Sequence, residues 1–79
     1  MECRIEYYGV LSEIAGRVSE EICFERPFKT FELKKHLITL YPEFGKHTLI
    51  IFANQNRCES DTLITPGSKI DCMPPFAGG

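Results

Sequence analysis

The chain closes on Gly78 and Gly79, preceded by Met73-Pro74-Pro75-Phe76-Ala77. A glycine pair carries no Cβ, so its backbone can enter a channel too narrow for other residues. It also presents an unhindered terminal carboxylate. A free carboxylate is a poor acyl donor, but adenylation by ATP would convert it into a mixed anhydride with a good leaving group. The chemistry open to this chain is therefore expected at Gly79 rather than in a pocket. An inert glycine-rich tail is the plainer alternative. Such a tail would run through soft, polar residues, whereas this one holds two prolines and Phe76, with no charged side chain after Asp71. Consecutive prolines favour a stiff, extended segment. The seven residues from Met73 could reach at most roughly 23 Å.

The interior offers little competing chemistry. It contains neither G-x-x-x-x-G-K-[ST] nor G-x-G-x-x-G, so no nucleotide cradle is recognisable. His36 falls on a helical stretch and His47 before a strand, and neither has partners at ligand spacing. Glu20 and Glu21 are neighbours on a strand, so they point to opposite faces and cannot converge on one substrate. Lys34-Lys35 reads as a solvated helix surface. Cys3, Cys23, Cys58 and Cys72 form no C-x-x-C pair, which argues against a zinc ribbon or a thioredoxin-like motif. With no secretion signal at Met1-Glu2-Cys3-Arg4, reduced thiols are expected. Cys3 and Cys72 read as small buried hydrophobes, and Cys58, in a turn-like stretch, as exposed. Formal charge is −2, from nine basic and eleven acidic residues. That balance gives no reason to expect nucleic acid or an anionic membrane as partner. No apolar run is long enough to span a bilayer, and the cytosol is the default location.

Seventy-nine residues make one domain with a modest core. Residues 2–8 alternate, with Cys3, Ile5 and Tyr7 on one face and Glu2, Arg4, Glu6 and Tyr8 on the other, as in a half-buried strand. Tyr8 suits either a second covered face or an exposed interaction patch. Gly9 ends the strand, and Val10–Ala15 can form one or two helical turns closed by Gly16. Residues 18–24 alternate again, Glu20 being the polar exception on the face of Val18, Ile22 and Phe24, which places it at the strand's edge or marks a shift of register. From Thr30, a plausible N-cap, to Leu40 the period turns helical, with Leu33, Leu37, Leu40 and Tyr41 on one face. Pro42 stops the helix. Residues 48–53 are a continuous apolar run, most simply a strand covered on both faces. Asn54-Gln55-Asn56 and Pro66-Gly67 are turn signals. Lys69–Met73 is a last strand, with Ile70 and Cys72 facing away from Asp71 and Met73. This order predicts an α+β fold, a sheet with one main helix packed on it. If the first and last strands lie side by side, the sheet is mixed. The arrangement is then the ubiquitin-like β-grasp, with a short helix after the first strand. The domain would occupy residues 1–72 and the extended tail residues 73–79.

The ending Met73-Pro74-Pro75-Phe76-Ala77-Gly78-Gly79 resembles that of the MoaD-type sulfur carriers, the small subunits of molybdopterin synthase in the MoaD/ThiS family. Upstream, Tyr7-Tyr8-Gly9 and Leu11–Gly16 resemble that family's first strand and short helix. Ala53-Asn54-Gln55 is similar to the end of its third strand, and Thr65–Ile70 to its turn into the last one. The resemblance covers nearly the whole chain, and the main helix fits loosely.

The resemblance implies a sulfur carrier of molybdenum cofactor biosynthesis. An adenylyltransferase would activate Gly79, a sulfurtransferase step would leave a thiocarboxylate, and the tail would donate that sulfur to a pterin precursor inside the large synthase subunit. Gly79 would carry the transferred group. Pro74, Pro75, Phe76, Ala77 and Gly78 would enter the partner channel, Phe76 as an apolar anchor and the prolines limiting the entropy lost on docking. ATP would be used by the activating enzyme. The chain itself would bind no cofactor and no metal, and catalytic side chains would belong to the large subunit. A thiamine-type sulfur carrier shares the activation but usually lacks the Pro-Pro-apolar approach. A ubiquitin-like modifier joined to lysines, and an inert β-grasp interaction domain, are the remaining readings. All share one fold, so fold alone does not choose between them.

Overall fold

The computed structural model describes residues 2–75. Strand β1 (Glu2–Tyr7) buries Cys3, Ile5 and Tyr7, as the alternation requires. Helix α1 (Val10–Ala15) follows at once and buries Leu11. It is closed by Gly16, whose φ of 73° lies in the left-handed region that ends helices. Strand β2 (Ser19–Cys23) returns antiparallel to β1, with Cys3 opposite Ile22 and Ile5 opposite Glu20.

Glu20 lies on the inward face of the edge strand β2, with the register unbroken. Its carboxylate makes that place tolerable by accepting hydrogen bonds from two phenols. The Tyr7 hydroxyl donates to Oε2, and the Tyr41 hydroxyl donates to the same atom at 2.6 Å. Arg17 approaches Oε1 at 3.4 Å. Around these groups the Tyr7 ring meets Tyr41 and Phe44 edge-on, with centroids 5.9 and 5.7 Å apart, a favoured aromatic geometry.

A two-residue strand, β3 (Phe28–Lys29), precedes the main helix α2 (Thr30–Leu40). Thr30 is the first helical residue rather than the cap. It is fully buried, and both its backbone N–H and its hydroxyl donate to the Thr62 carbonyl. Glu32 supports the helix start instead, accepting the Lys29 N–H at 2.7 Å. Leu33 and Leu37 are fully buried against the sheet, each contributing roughly 1.5–3 kcal/mol. Leu40, expected on the same face, is exposed. Phe44, from the 3₁₀ turn Pro42–Lys46, fills that end of the core. Pro42 opens this turn and ends α2, as its missing N–H dictates.

Strands β4 (Ile50–Ala53) and β5 (Asn56–Arg57) form a hairpin around Asn54 and Gln55. Both turn residues have positive φ, 50° and 70°, as a two-residue hairpin turn of the primed type demands. Cys58 is buried, not exposed. Its N–H donates to the Ile51 carbonyl, which holds it to the hairpin and turns the side chain inward. Strand β6 (Leu63–Ile64) pairs with β3, and β7 (Lys69–Met73) completes the main sheet.

The main sheet runs β2-β1-β7-β4-β5. Strands β1 and β7 are parallel neighbours, with Ile5 beside Ile70 and Tyr7 beside Cys72, and every other pairing is antiparallel. This is the mixed sheet expected for a β-grasp domain. The first and last strands lie side by side in its interior, and the main helix crosses one face.

Candidate functional site

Strand β7 is central and buried, with Ile70 and Cys72 fully covered. It is therefore a rigid mount for whatever follows. Met73, assigned to the tail by sequence, still pairs with Ile50. Pro74 is half-buried and Pro75 exposed. Phe76, Ala77, Gly78 and Gly79 lie outside the described residues.

The face of the sheet opposite α2 surrounds this departure point. Alternation puts Ile51 and Cys72 inward, so their neighbours Ile50, Phe52 and Met73 face outward, all half-buried. The strand expected to be covered on both faces is thus covered fully on one only. Ile50 and Met73 are cross-strand partners, and Phe52 sits opposite Asp71. Together they form an apolar strip ending where the tail begins.

A polar cluster borders that strip. Lys69 Nζ lies 2.9 Å from Glu6 Oε1 and 3.5 Å from Asp71 Oδ1. The Tyr8 hydroxyl donates to Asp71 Oδ1 at 2.9 Å. Asp71 is buried despite facing outward. The Lys69 ammonium holds the Glu6 carboxyl below the usual carboxylate range, and the same hydrogen bond raises the Lys69 ammonium above its own. The bond to Asp71, followed by burial, raises the Tyr8 phenol. Tyr8 is thus neither core nor a bare patch, but an amphipathic side chain anchored by its hydroxyl at the rim.

Little else in the described structure can do chemistry. Cys72 is fully buried, and burial pushes its thiol up to about 12, so it holds no thiolate at neutral pH. All four cysteines are free, and Cys23 is exposed. His36 stands on the exposed side of α2 with its ring against Phe24, centroids 5.9 Å apart. Among the described residues no three His, Cys, Asp or Glu side chains converge as metal ligands, and no helix is long and apolar enough to cross a membrane.

The apolar strip was not legible as a site in the sequence. Ile50 and Phe52 belong to a run that looks buried throughout, and Met73 is the residue at which the last strand and the tail overlap. The usable signal was the alternation of the last strand, which sets Met73 on the face opposite Cys72; its cross-strand partner Ile50 then shares that outward face.

Residues 5–79 match the ThiS family model. A Pyrococcus furiosus protein provisionally designated molybdopterin converting factor, subunit 1, superposes with a TM-score of 0.86 at 16% identity, covering 96% of this chain and 99% of that one. The small archaeal modifier protein 1 of Haloferax volcanii superposes with a TM-score of 0.81 at 13% identity over the whole of both chains. Its counterpart from Methanosarcina acetivorans gives 0.75 at 21% identity, over 99% of this chain and 96% of that one. At these identities the likeness establishes a shared ubiquitin-like fold.

Proposed function

This chain belongs to the ThiS family, and from that premise we propose that it is the sulfur carrier of a molybdopterin synthase. The observation that carries the reading is the run Met73-Pro74-Pro75-Phe76-Ala77-Gly78-Gly79, joined directly to the central strand β7 and included to its last residue in the family match. An activating enzyme adenylates the Gly79 carboxylate with ATP and releases pyrophosphate. A persulfide sulfur then attacks the acyl carbon, the C–O bond to phosphate breaks and AMP leaves. A thiol reduces the resulting acyl disulfide to the thiocarboxylate. The sulfur is finally donated to the pterin precursor within the large subunit. The strip of Ile50, Phe52 and Met73 docks on each partner in turn. Phe76 is an anchor in the partner, and Gly78 permits passage through its channel.

The likeness to two small archaeal modifier proteins favours a second reading, in which the activated Gly79 is joined to lysines. Activation is common to both and only the acceptor differs.

Intact mass after incubation with an adenylyltransferase, ATP and a sulfur donor tests the activation. A gain of about 16 Da, oxygen replaced by sulfur, is expected at Gly79, the nucleophile-bearing terminus. Gly79→Ala should fold normally and not gain it. Adding the large subunit and precursor should then consume the sulfur. Lysine conjugates in place of pterin sulfuration would establish the modifier reading, and an unchanged mass with an enzyme active on another carrier would refute both.

A further inference from the structure

The two prolines at the root of the tail occupy different surroundings. Pro75 is exposed, beside the start of β4, where Thr48, Leu49 and Ile50 border a shallow groove. Pro74 instead lies on the turn between β1 and α1. A Cβ built on Gly9 would stand 3.3 Å from Pro74 Cγ and 3.9 Å from Cδ. The pyrrolidine ring therefore packs against the place where any other residue would carry its Cβ, closer than an ordinary van der Waals contact.

Gly9 is held there by its own backbone conformation and by ties to the elements on either side. Its backbone is at φ 56°, ψ −135°, a combination open to glycine and strained for L-residues. Its carbonyl accepts both the Ser12 N–H at 3.1 Å and the Ser12 hydroxyl at 2.7 Å, which ties it to α1. The preceding Tyr8 N–H donates to the Cys72 carbonyl at 3.2 Å, two residues before Pro74. The Tyr8 hydroxyl grips Asp71 on the same strand. The turn is thus fastened to α1 on one side and to β7 on the other, and the Pro74 ring sits on its bare Cα. Proline's fixed φ then transmits the orientation of that ring to the chain leaving the sheet.

We propose that Gly9 is a positioning residue for delivery of the terminus, forming with Pro74 a seat that fixes the direction in which the tail leaves the domain. Pro74 accordingly belongs to the domain, and the delivered segment begins at Pro75. The inference rests on the sulfur-carrier reading for its reaction, but not for its geometry. Docking of the sheet face sets affinity, whereas the seat sets whether the docked carboxylate meets the reacting phosphate.

Two measurements test it. In the parent protein, a nuclear Overhauser effect between Gly9 Hα and the Pro74 ring protons is expected. Its absence would remove the seat. In ATP–pyrophosphate exchange with an adenylyltransferase, Gly9→Ala should lower kcat about tenfold or more, since an ångström of misplacement can cost a hundredfold. KM should stay within about twofold, because the docking face is untouched. Part of the defect comes from the new methyl against the ring, so Gly9→Ala should cost clearly less when made on Pro74→Ala, which removes Cγ. Independent, multiplying effects would overturn the role of the contact, as would a change in KM alone. If Gly9→Ala does not fold, Pro74→Ala decides by itself. It should shift the Gly9 and Ser12 amide resonances and lower kcat at constant KM, and unmoved Gly9 resonances would refute the seat. A parent chain that no adenylyltransferase activates would refute the functional reading and the role in that reaction, and the Overhauser measurement would still judge the seat.

Discussion

Glu20 offers the sharpest test of how this core is held together. In Glu20→Ala the Tyr7 hydroxyl loses its acceptor, in a residue only 3% exposed. The described structure contains no buried side-chain donor or acceptor without a partner, so the variant creates a new kind of defect. Leaving such a buried donor unpaired costs about 1–3 kcal/mol. Tyr41 donates to the same oxygen but is half-buried, so water can replace the lost bond and its share is roughly 0.5–1 kcal/mol. Arg17 is mostly exposed, and such a surface pair contributes about 0–1 kcal/mol. Glu20→Ala should therefore lose about 2–4 kcal/mol in urea unfolding at neutral pH, with the m-value unchanged. Adding Tyr7→Phe removes the stranded donor, so the double variant should recover about 1–2 kcal/mol relative to additivity. Glu20→Gln keeps an acceptor and should cost less than the alanine. A loss below about 0.5 kcal/mol, or strict additivity with Tyr7→Phe, would refute the claim that this carboxylate satisfies the core.

The three tyrosines of the chain all have raised phenols, Tyr7 and Tyr41 chiefly by burial and then by Glu20, Tyr8 chiefly by its bond to Asp71. A folded pKa above the unfolded value of 10 means that this stability is complete below pH 10 and declines as pH rises further. Tyr7 alone should impose a slope of about 1.4 kcal/mol per pH unit. Tyrosinate absorbance for Tyr7 should appear together with alkaline unfolding, and reversible ionisation of all three phenols near pH 10 in the folded chain would contradict this. Gln55→Gly, at φ 70° in the β4–β5 turn, should raise stability by about 0.5–1 kcal/mol in the same urea assay, because only glycine escapes the left-handed penalty. Phe52→Ser, on the outward strip, should raise the KM for adenylation about tenfold or more, as loss of an interface anchor does. It should leave kcat within about threefold, and an unchanged KM would remove Phe52 from the docking face.

Much of this architecture is a local matter and was open to the sequence alone. The alternation in residues 2–8 and 69–73 specifies which side chains of β1 and β7 face inward. Gly16 and Pro42 end helices through their own backbone chemistry, and Asn54-Gln55 marks its hairpin. The Gly78-Gly79 terminus with its Pro-Pro-Phe approach, together with the resemblance it supports, pointed to the chemistry without any structure. Periodicity tells a residue which side of its own element it occupies, but it cannot say what the opposite element brings there. Only the tertiary structure decided that Glu20 is tolerated inward, because Tyr41, twenty-one positions away, supplies one of the hydroxyls it accepts. Phe44 takes the place expected of Leu40, and Cys58 is turned in by β4. The outward strip exists because β7 pairs with β4, and the Gly9–Pro74 contact because β7 also returns beside β1, placing Tyr8 within hydrogen-bond reach of Asp71 across sixty-three positions. Contacts at that separation depend on the packed sheet as a whole, and no window of neighbouring residues contains them.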